Sequence, residues 1–277
     1  MKIWTVAAFT KQKTGGNLAG VAIVEDFPSS KESIAIAAEL NYSETAFVKP
    51  LAEDEFQIKW FTPKYEVNLC GHATLATAFF IWEKKISSSF KIKFVSKSGI
   101  LYAERNSGAI TLDFPFEKTS LFKNDFDFDF SWEKALGGIH PKNIAEAFGA
   151  FKEYLVELES EEQIINLKPD ISEIAKLPGN GLIVTAKGFG KYDFVSRVFA
   201  PQDGIPEDPV TGSVHCKLAH YWEKPLGKQK FLAYQASERG GEIIVERKGD
   251  RVFLTGYAVM ANEEAILLEL GSVEKKI

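Results

Sequence analysis

The stretch LNYSETAFV, residues 40–48, places a carboxylate, Glu44, at the start of an apolar segment with high β propensity. A strand that enters a core normally carries no charge there, because burying an ionised carboxylate is costly. Asn41 and Glu44 could instead form a helix capping box, but β-branched and aromatic residues follow where a helix would be needed. Burial beside Tyr42 and Phe47 would bring the proton affinity of this carboxylate toward that of a general acid or base. Glu44 is therefore the first candidate for moving protons.

Two glycine-led segments, beginning at Gly71 and Gly212, read as the starts of two helices. A helix start offers unpaired N–H groups and a partial positive charge, so two such starts would bind an anion such as a carboxylate. Plain capping, with glycine allowing close packing, explains the same pattern, and the sequence leaves both readings open. His72 and Ser213 follow the two glycines, and each could donate a hydrogen bond to a substrate or cap its own helix.

Asp208 precedes the second of these helices, and Pro209 fixes the turn behind it. A turn-forming aspartate is the simpler local explanation. His215 and His220 are five residues apart on the predicted helix, which does not place them on one face, so no metal pair is expected. The sequence has no phosphate-binding GxxxxGK[ST] or GxGxxG motif between a strand and a helix. We therefore expect no cofactor and no metal.

The chain contains the same series of elements twice, which predicts a duplicated α+β fold. In each half a mixed sheet is expected to wrap around an apolar central helix. The predicted halves are residues 1–118 and 119–277, with a last strand over 257–270 that could pack on either half, and their junction is a favoured place for a small-molecule site. The position equivalent to Glu44 falls in residues 178–181 (PGNG), which contain no carboxylate. The recurring elements are IAIAAEL and ISEIAKL, FQIKWFTP and DFVSRVFAP, the helices from GHAT and GSVH, and the hairpins at 101–114 and 243–256.

Composition limits the partners of the protein. The 277 residues are 45% hydrophobic, which is enough for a substantial core, and the formal net charge is −5. No basic stripe is present for nucleic acid, and no run of about 18 apolar residues predicts a membrane span. Cys70 and Cys216 are far apart and supply no disulfide framework. We expect a cytoplasmic protein that binds a small molecule and neither nucleic acid nor a membrane.

Four motifs together resemble the PhzF-like isomerases of the phenazine biosynthesis family. They are Gly16-Asn17, Ser43-Glu44-Thr45-Ala46-Phe47, Cys70-Gly71-His72-Ala73-Thr74 and Glu207-Asp208-Pro209-Val210-Thr211-Gly212-Ser213. The likeness covers nearly the whole chain, in the right order. It implies the diaminopimelate-epimerase fold, with two pseudo-symmetric domains, and a homodimer.

The resemblance also implies roles for individual residues. Glu44 would be the general acid/base, with His72 and Asp208 assisting proton movement. Substrate binding would fall to a further set of residues: Gly71, Ala73, Gly212, Ser213 and Asn17. The expected reaction is a cofactor-independent proton shift on a small carboxylate-bearing substrate in the interdomain cleft. A cofactor-independent amino-acid racemase or epimerase, with Cys70 or Asp208 opposite Glu44, and a non-catalytic small-molecule-binding homodimer are the alternatives.

Overall fold

The protein was analysed as a computed structural model that describes residues 1–123, 130–149 and 151–268. The chain forms two compact units. Unit 1 comprises Met1–Phe114 together with Phe253–Ile277, and unit 2 comprises Pro115–Val252.

The elements follow one another along the described parts of the chain. The strands are β1 (Lys2–Ala8), β2 (Asn17–Ile23), β3 (Glu44–Ala52), β4 (Glu55–Phe61), β5 (Glu66–Val67), β6 (Lys91–Ser96), β7 (Gly99–Asn106), β8 (Ala109–Pro115), β9 (Thr119–Leu121), β10 (Asn143–Ala147), β11 (Glu153–Glu157), β12 (Gly181–Lys187), β13 (Phe194–Ala200), β14 (Ile205–Asp208), β15 (Lys230–Gln235), β16 (Gly241–Lys248), β17 (Arg251–Gly256), β18 (Ala258–Met260) and β19 (Ile266–Leu267). The α-helices are α1 (Ser30–Leu40), α2 (Gly71–Glu83), α3 (Trp132–Ala135), α4 (Glu161–Asn166), α5 (Ile171–Ile174) and α6 (Gly212–Leu226), and a 3-10 turn covers Pro201–Asp203.

The two units pair their strands in the same order, which confirms the duplicated α+β class. In unit 1, β1–β2 is antiparallel, β2–β3 parallel, β3–β4 antiparallel, β4–β6 parallel and β6–β7 antiparallel. In unit 2, β10–β11, β11–β12, β12–β13, β13–β15 and β15–β16 repeat that series of directions. A parallel neighbour needs a crossover segment, and a helix supplies it between β2 and β3 (α1) and between β4 and β6 (α2).

The central helices are α2 and α6, as the sequence predicts. The α2 segment is apolar on all sides, and it packs against β1, β2 and β3 with nearly every residue buried. The α6 segment, whose exposed face lies toward its C-terminal end, packs against β9 and β16. Burial around these helices fixes both helix starts, where five of the candidate residues lie: Gly71, His72, Ala73, Gly212 and Ser213.

The last predicted strand, over 257–270, differs from the structure. Two short strands, β18 and β19, occupy this stretch, and both pair antiparallel with β1 of unit 1. The exposed segment Asn262–Glu264 separates them, and polar residues favour such an interruption. Residues 269 and 270 lie outside the described part of the chain. Within the described residues, no helix is both long and apolar enough to cross a membrane.

Candidate active site

Glu44 is the first residue of β3, and its side chain is only 15% exposed. The strand runs parallel to β2, with Glu44 in register with Ala19. One of its carboxylate oxygens, Oε2, lies 3.4 Å from Nε2 of His72, the second residue of α2. The start of a strand and the start of a helix therefore place a carboxylate beside an imidazole.

His72 is buried, and its burial decides its charge. Transfer of the ring out of water disfavours the imidazolium form and lowers the pKa of His72 to about 3. The ring is thus neutral at physiological pH, and its contact with Glu44 joins a carboxylate to a neutral imidazole. A neutral imidazole can donate one hydrogen bond and accept another at this position without a charge being buried.

Asn17, the first residue of β2, holds the other nitrogen of the ring. Its amide Nδ2 lies 3.2 Å from Nδ1 of His72, and Ser43 Oγ donates to Asn17 Oδ1 at 3.4 Å. The preceding Gly16 has φ +66°, and a Cβ there would lie 2.1 Å from the carbonyl oxygen of Ala8. Only glycine fits that close approach, which explains the Gly16-Asn17 pair.

Cys70 is the N-cap residue of α2, and its side chain makes no capping hydrogen bond. Its Sγ lies 3.6 Å from Nδ1 of His72, so the thiol, the imidazole and the Glu44 carboxylate form one cluster. Gly71 and Ala73 are also buried in the first turn of this helix. The N-cap side chain does not cap α2, and the first turn of a helix is where N–H groups can bind an anion.

Unit 2 places Asp208, Gly212 and Ser213 around the start of α6. Asp208 is the last residue of β14 and is 7% exposed. The hydroxyl of Thr211 donates to Asp208 Oδ2, so this N-cap hydroxyl is not used to cap α6. Gly212 and Ser213 are buried in the first turn. The second helix start therefore also has no side-chain cap, and a buried carboxylate precedes it by a few residues.

Gln235, which the sequence analysis did not single out, connects both ends of this turn. Its Oε1 accepts from the Thr211 N–H at 2.8 Å, and its Nε2 donates to the Asp208 carbonyl at 2.7 Å. Ser237 Oγ donates to the Pro209 carbonyl at 2.7 Å. A glutamine at the end of a strand carries no local sequence signal for this role, because its partners lie more than twenty residues earlier in the chain.

His215 and His220 do not form a pair, in line with their spacing. The Nδ1 of His215 donates to the Thr211 carbonyl at 2.8 Å, whereas Nδ1 of His220 accepts from the Thr119 N–H at 3.0 Å. The predicted site residues thus fall into two groups. Unit 1 contains Glu44, His72, Asn17, Gly71 and Ala73, and unit 2 contains Asp208, Gly212 and Ser213.

Comparison with known proteins shows what kind of protein carries these features. The family model described as phenazine biosynthesis-like protein matches residues 6–264. An uncharacterized isomerase from Halalkalibacterium halodurans is 42% identical over 274 residues, which cover 96% of this chain and 98% of that protein. The crystal structure of a PhzF-family phenazine biosynthesis protein from Enterococcus faecalis has a TM-score of 0.85 and 35% identity, covering 97% of this chain and all of the other.

A more distant structure shows the breadth of the fold. A predicted epimerase from Pseudomonas aeruginosa has a TM-score of 0.70 at 16% identity, over 96% of this chain and 97% of that one. Such low identity supports the fold alone, and it confirms the expected epimerase-like architecture. The family match and the close relatives span nearly the whole chain, and they show that this protein belongs to the phenazine biosynthesis-like, or PhzF, family.

Proposed function

We propose that this protein is an isomerase that moves a proton on a small carboxylate-bearing substrate, with Glu44 as the general acid/base. The contact between the Glu44 carboxylate and the neutral ring of His72 is the observation that carries the proposal. The relatives named as isomerases support the class of reaction, and the reaction itself needs only side-chain groups of this chain.

In the proposed reaction Glu44 breaks a C–H bond next to a carboxylate or another unsaturated group. The proton goes to the Glu44 carboxylate, and the electron pair of the bond spreads into the conjugated substrate. The protonated Glu44 then forms a new C–H bond at a different carbon and returns to its ionised form. His72, held at Nδ1 by Asn17, orients Glu44 and offers a second proton-transfer group without a charge of its own.

The uncapped start of α2 is proposed to bind the substrate carboxylate. Its first-turn N–H groups belong to Gly71, His72 and Ala73, next to the proposed base, and the helix dipole favours negative charge there. Charge that develops on the substrate as the C–H bond breaks would be stabilised by the same donors. Gly212 and Ser213 at the start of α6 are proposed as the second set of such donors.

The grouping of the titratable side chains favours a proton shift over stereochemical inversion. Ligand atoms of Glu44, Cys70 and His72 all lie within 4.8 Å of one another, so these groups serve one face of a substrate. Inversion requires an acid on the opposite face. Asp208, in the other unit, is the residue that the epimerase alternative would need, and its removal therefore separates the two reactions.

The test measures proton exchange, because it does not require the natural substrate to be known. Small unsaturated and α-amino carboxylates are incubated with the protein in D₂O, and NMR follows deuterium incorporation, double-bond position and optical purity. For any compound that turns over, Glu44→Gln should lower the rate of turnover by a factor on the order of 10²–10⁴. A moved double bond without a mirror-image product supports the proton shift.

Glu66→Gln is the matched control. Glu66 also begins a strand in unit 1 and its side chain is also 15% exposed, but it pairs with Lys97 at 2.9 Å. This variant should keep the wild-type rate. Wild-type turnover in Glu44→Gln would overturn the proton-transfer role. An inverted product whose formation requires Asp208 would replace the proton shift with epimerisation.

A further inference from the structure

The cluster at the start of α2 combines three kinds of metal-binding atom. A thiol sulfur from Cys70, a ring nitrogen from His72 and a carboxylate oxygen from Glu44 all lie within 4.8 Å of one another. We propose that these three side chains form a binding site for a divalent metal ion of the Zn²⁺ type, and that the ion inhibits the protein. The binding itself does not rest on the proposed reaction, whereas the inhibition does.

The donor set matches the chemistry of zinc. Zn²⁺ is bound by cysteine thiolate, histidine nitrogen and carboxylate oxygen, and sites with three protein ligands keep a fourth position for water or another molecule. A thiolate and a carboxylate together carry two negative charges, which neutralise the charge of the ion. Charge balance matters here because all three side chains are at least 85% buried, and an uncompensated charge would be costly.

The contact between His72 and Glu44 has the spacing that a tetrahedral metal requires. Bonds of about 2.1 Å from a tetrahedral Zn²⁺ to nitrogen and oxygen place those two atoms about 3.4 Å apart. The observed distance between Nε2 and Oε2 is 3.4 Å. Among the described residues, the Nε2 atom has no hydrogen-bond partner, although the His72 side chain is 97% buried. When the ring proton moves from Nε2 to Nδ1, Nε2 presents a buried lone pair beside a carboxylate oxygen, and these two donors are suited to hold a cation.

The other nitrogen of the His72 ring is supported in the way that metal-binding histidines are. Such a histidine usually holds its second nitrogen against a polar neighbour, which fixes the orientation of the ring. Here Nδ1 faces the side-chain amide of Asn17 at 3.2 Å. Rotation of that amide by 180° exchanges its nitrogen for its oxygen, and the oxygen accepts the Nδ1 proton when Nε2 binds the ion.

Cys70 completes the site from the N-cap of α2. The positive end of a helix favours the thiolate form of a cysteine, which is the form that binds metal. Its Sγ lies 3.6 Å from the Nδ1 side of the ring. Because that distance is to Nδ1, Sγ must move toward Nε2 for all three side chains to reach one ion. The three ligand atoms lie within 4.8 Å of one another, compared with edges of about 3.4–3.6 Å in a tetrahedral zinc site. An ion bound there would occupy the Glu44 oxygen that the proposed reaction uses.

Cobalt provides a direct test, because Co²⁺ adopts the same tetrahedral geometry and is coloured. The full-length protein is stripped with a chelator and titrated with Co²⁺ while its absorption spectrum is recorded. We expect visible bands of tetrahedral cobalt together with a near-ultraviolet sulfur-to-cobalt charge-transfer band, and we expect Zn²⁺ to displace both. Wild-type protein without a charge-transfer band would overturn the site, whatever the behaviour of any variant.

Single variants then assign the ligands. Cys70→Ser should abolish the charge-transfer band, and Glu44→Gln should weaken Co²⁺ binding at least about tenfold. Cys216→Ser is the matched control, since Cys216 is the other buried thiol and should leave the band unchanged. Thermal unfolding without metal checks that each variant folds. A band that persists in Cys70→Ser, or disappears in a folded Cys216→Ser, would contradict the assignment.

The inhibition is tested separately with any compound that turns over in the exchange assay. Zn²⁺ should lower wild-type exchange, and excess chelator should restore it. A cobalt spectrum without inhibition would keep the metal site and refute Glu44 as the base. Inhibition without a cobalt–thiolate band would refute the metal site while leaving the proposed function intact.

Discussion

His215 lies in the interior of unit 2, and replacing it tests how burial controls acid stability. The ring stacks on Phe194 with their centroids 6.0 Å apart, and its Nδ1 donates to the Thr211 carbonyl at 2.8 Å. The side chain has no exposed surface, and burial lowers the pKa of His215 to about 4. An Asn side chain can keep an N–H donor close to the position of Nδ1 but does not titrate, so His215→Asn isolates the effect of protonation.

The sign of the effect follows from which state binds more protons. The folded-state pKa lies below the value of about 6.5 for an exposed histidine, so the unfolded chain binds the proton more readily. The free energy of unfolding therefore falls as the pH falls below about 6.5. For a shift from 6.5 to about 4, this one ring removes roughly 2 kcal/mol between pH 7 and pH 5. The stability that the buried neutral ring of His215 contributes is therefore fully present only at pH values above the pKa of the unfolded state.

The assay is urea unfolding of wild type and His215→Asn from pH 7 to pH 5, followed by tryptophan fluorescence. Trp222 reports on this part of the core, because its ring stacks on Phe194. The variant should gain about 2 kcal/mol relative to wild type over this range, while the cost of the smaller side chain cancels in the difference. His140→Asn is the control, since its side chain is 81% exposed. Parallel stability curves for His215→Asn and wild type would refute the reasoning.

Two further predictions concern a buried ion cluster and a strained turn. In unit 2 the fully buried Lys217 contacts Glu153 and Glu117, and burial raises the pKa of Glu153 to about 7. Lys217→Met should lower the free energy of unfolding by about 3–5 kcal/mol at pH 8, and by less at pH 5, because Glu153 takes up a proton there. Urea unfolding at both pH values measures the two losses, and equal losses would contradict the prediction. Gly16→Ala should cost more than about 2 kcal/mol in thermal unfolding, because φ is +66° and the new Cβ meets the Ala8 carbonyl; an unchanged midpoint would contradict the close approach.

The regular spacing of apolar residues made much of the fold predictable. The strands around Phe47 and Ile183 and the two central helices recur in order, because burial of one face imposes the same pattern on each copy. The prediction of a single strand over 257–270 was wrong for a physical reason. Both β18 and β19 pair with β1, and the polar, exposed Asn262–Glu264 segment interrupts what the sequence predicts as one strand.

The site was only partly predictable. Glu44 could be found, because a carboxylate at the mouth of an apolar strand conflicts with its surroundings. The contacts of Asn17 with His72, and of Gln235 with Thr211, could not be derived from the residues alone, because they join positions 55 and 24 residues apart. From the sequence alone Lys217 would be placed at the surface, since a lysine in an amphipathic helix normally faces water. Only the three-dimensional packing shows that this one is paired with two glutamates inside the unit.

Because the fold is duplicated, residues that differ between the two copies can be compared with residues that serve the shared architecture. A residue that serves only the shared architecture has the same reason to exist in both copies. Glu44 has no carboxylate in its counterpart, and Lys217 in α6 aligns with Ala76 in α2, a buried residue without charge. The sheet pairing, by contrast, is the same in both units. The second copy has PGNG and Ser213 at the positions of Glu44 and His72, so the cost of burying those two groups is specific to unit 1. We propose that their use in binding or proton transfer is the reason for it.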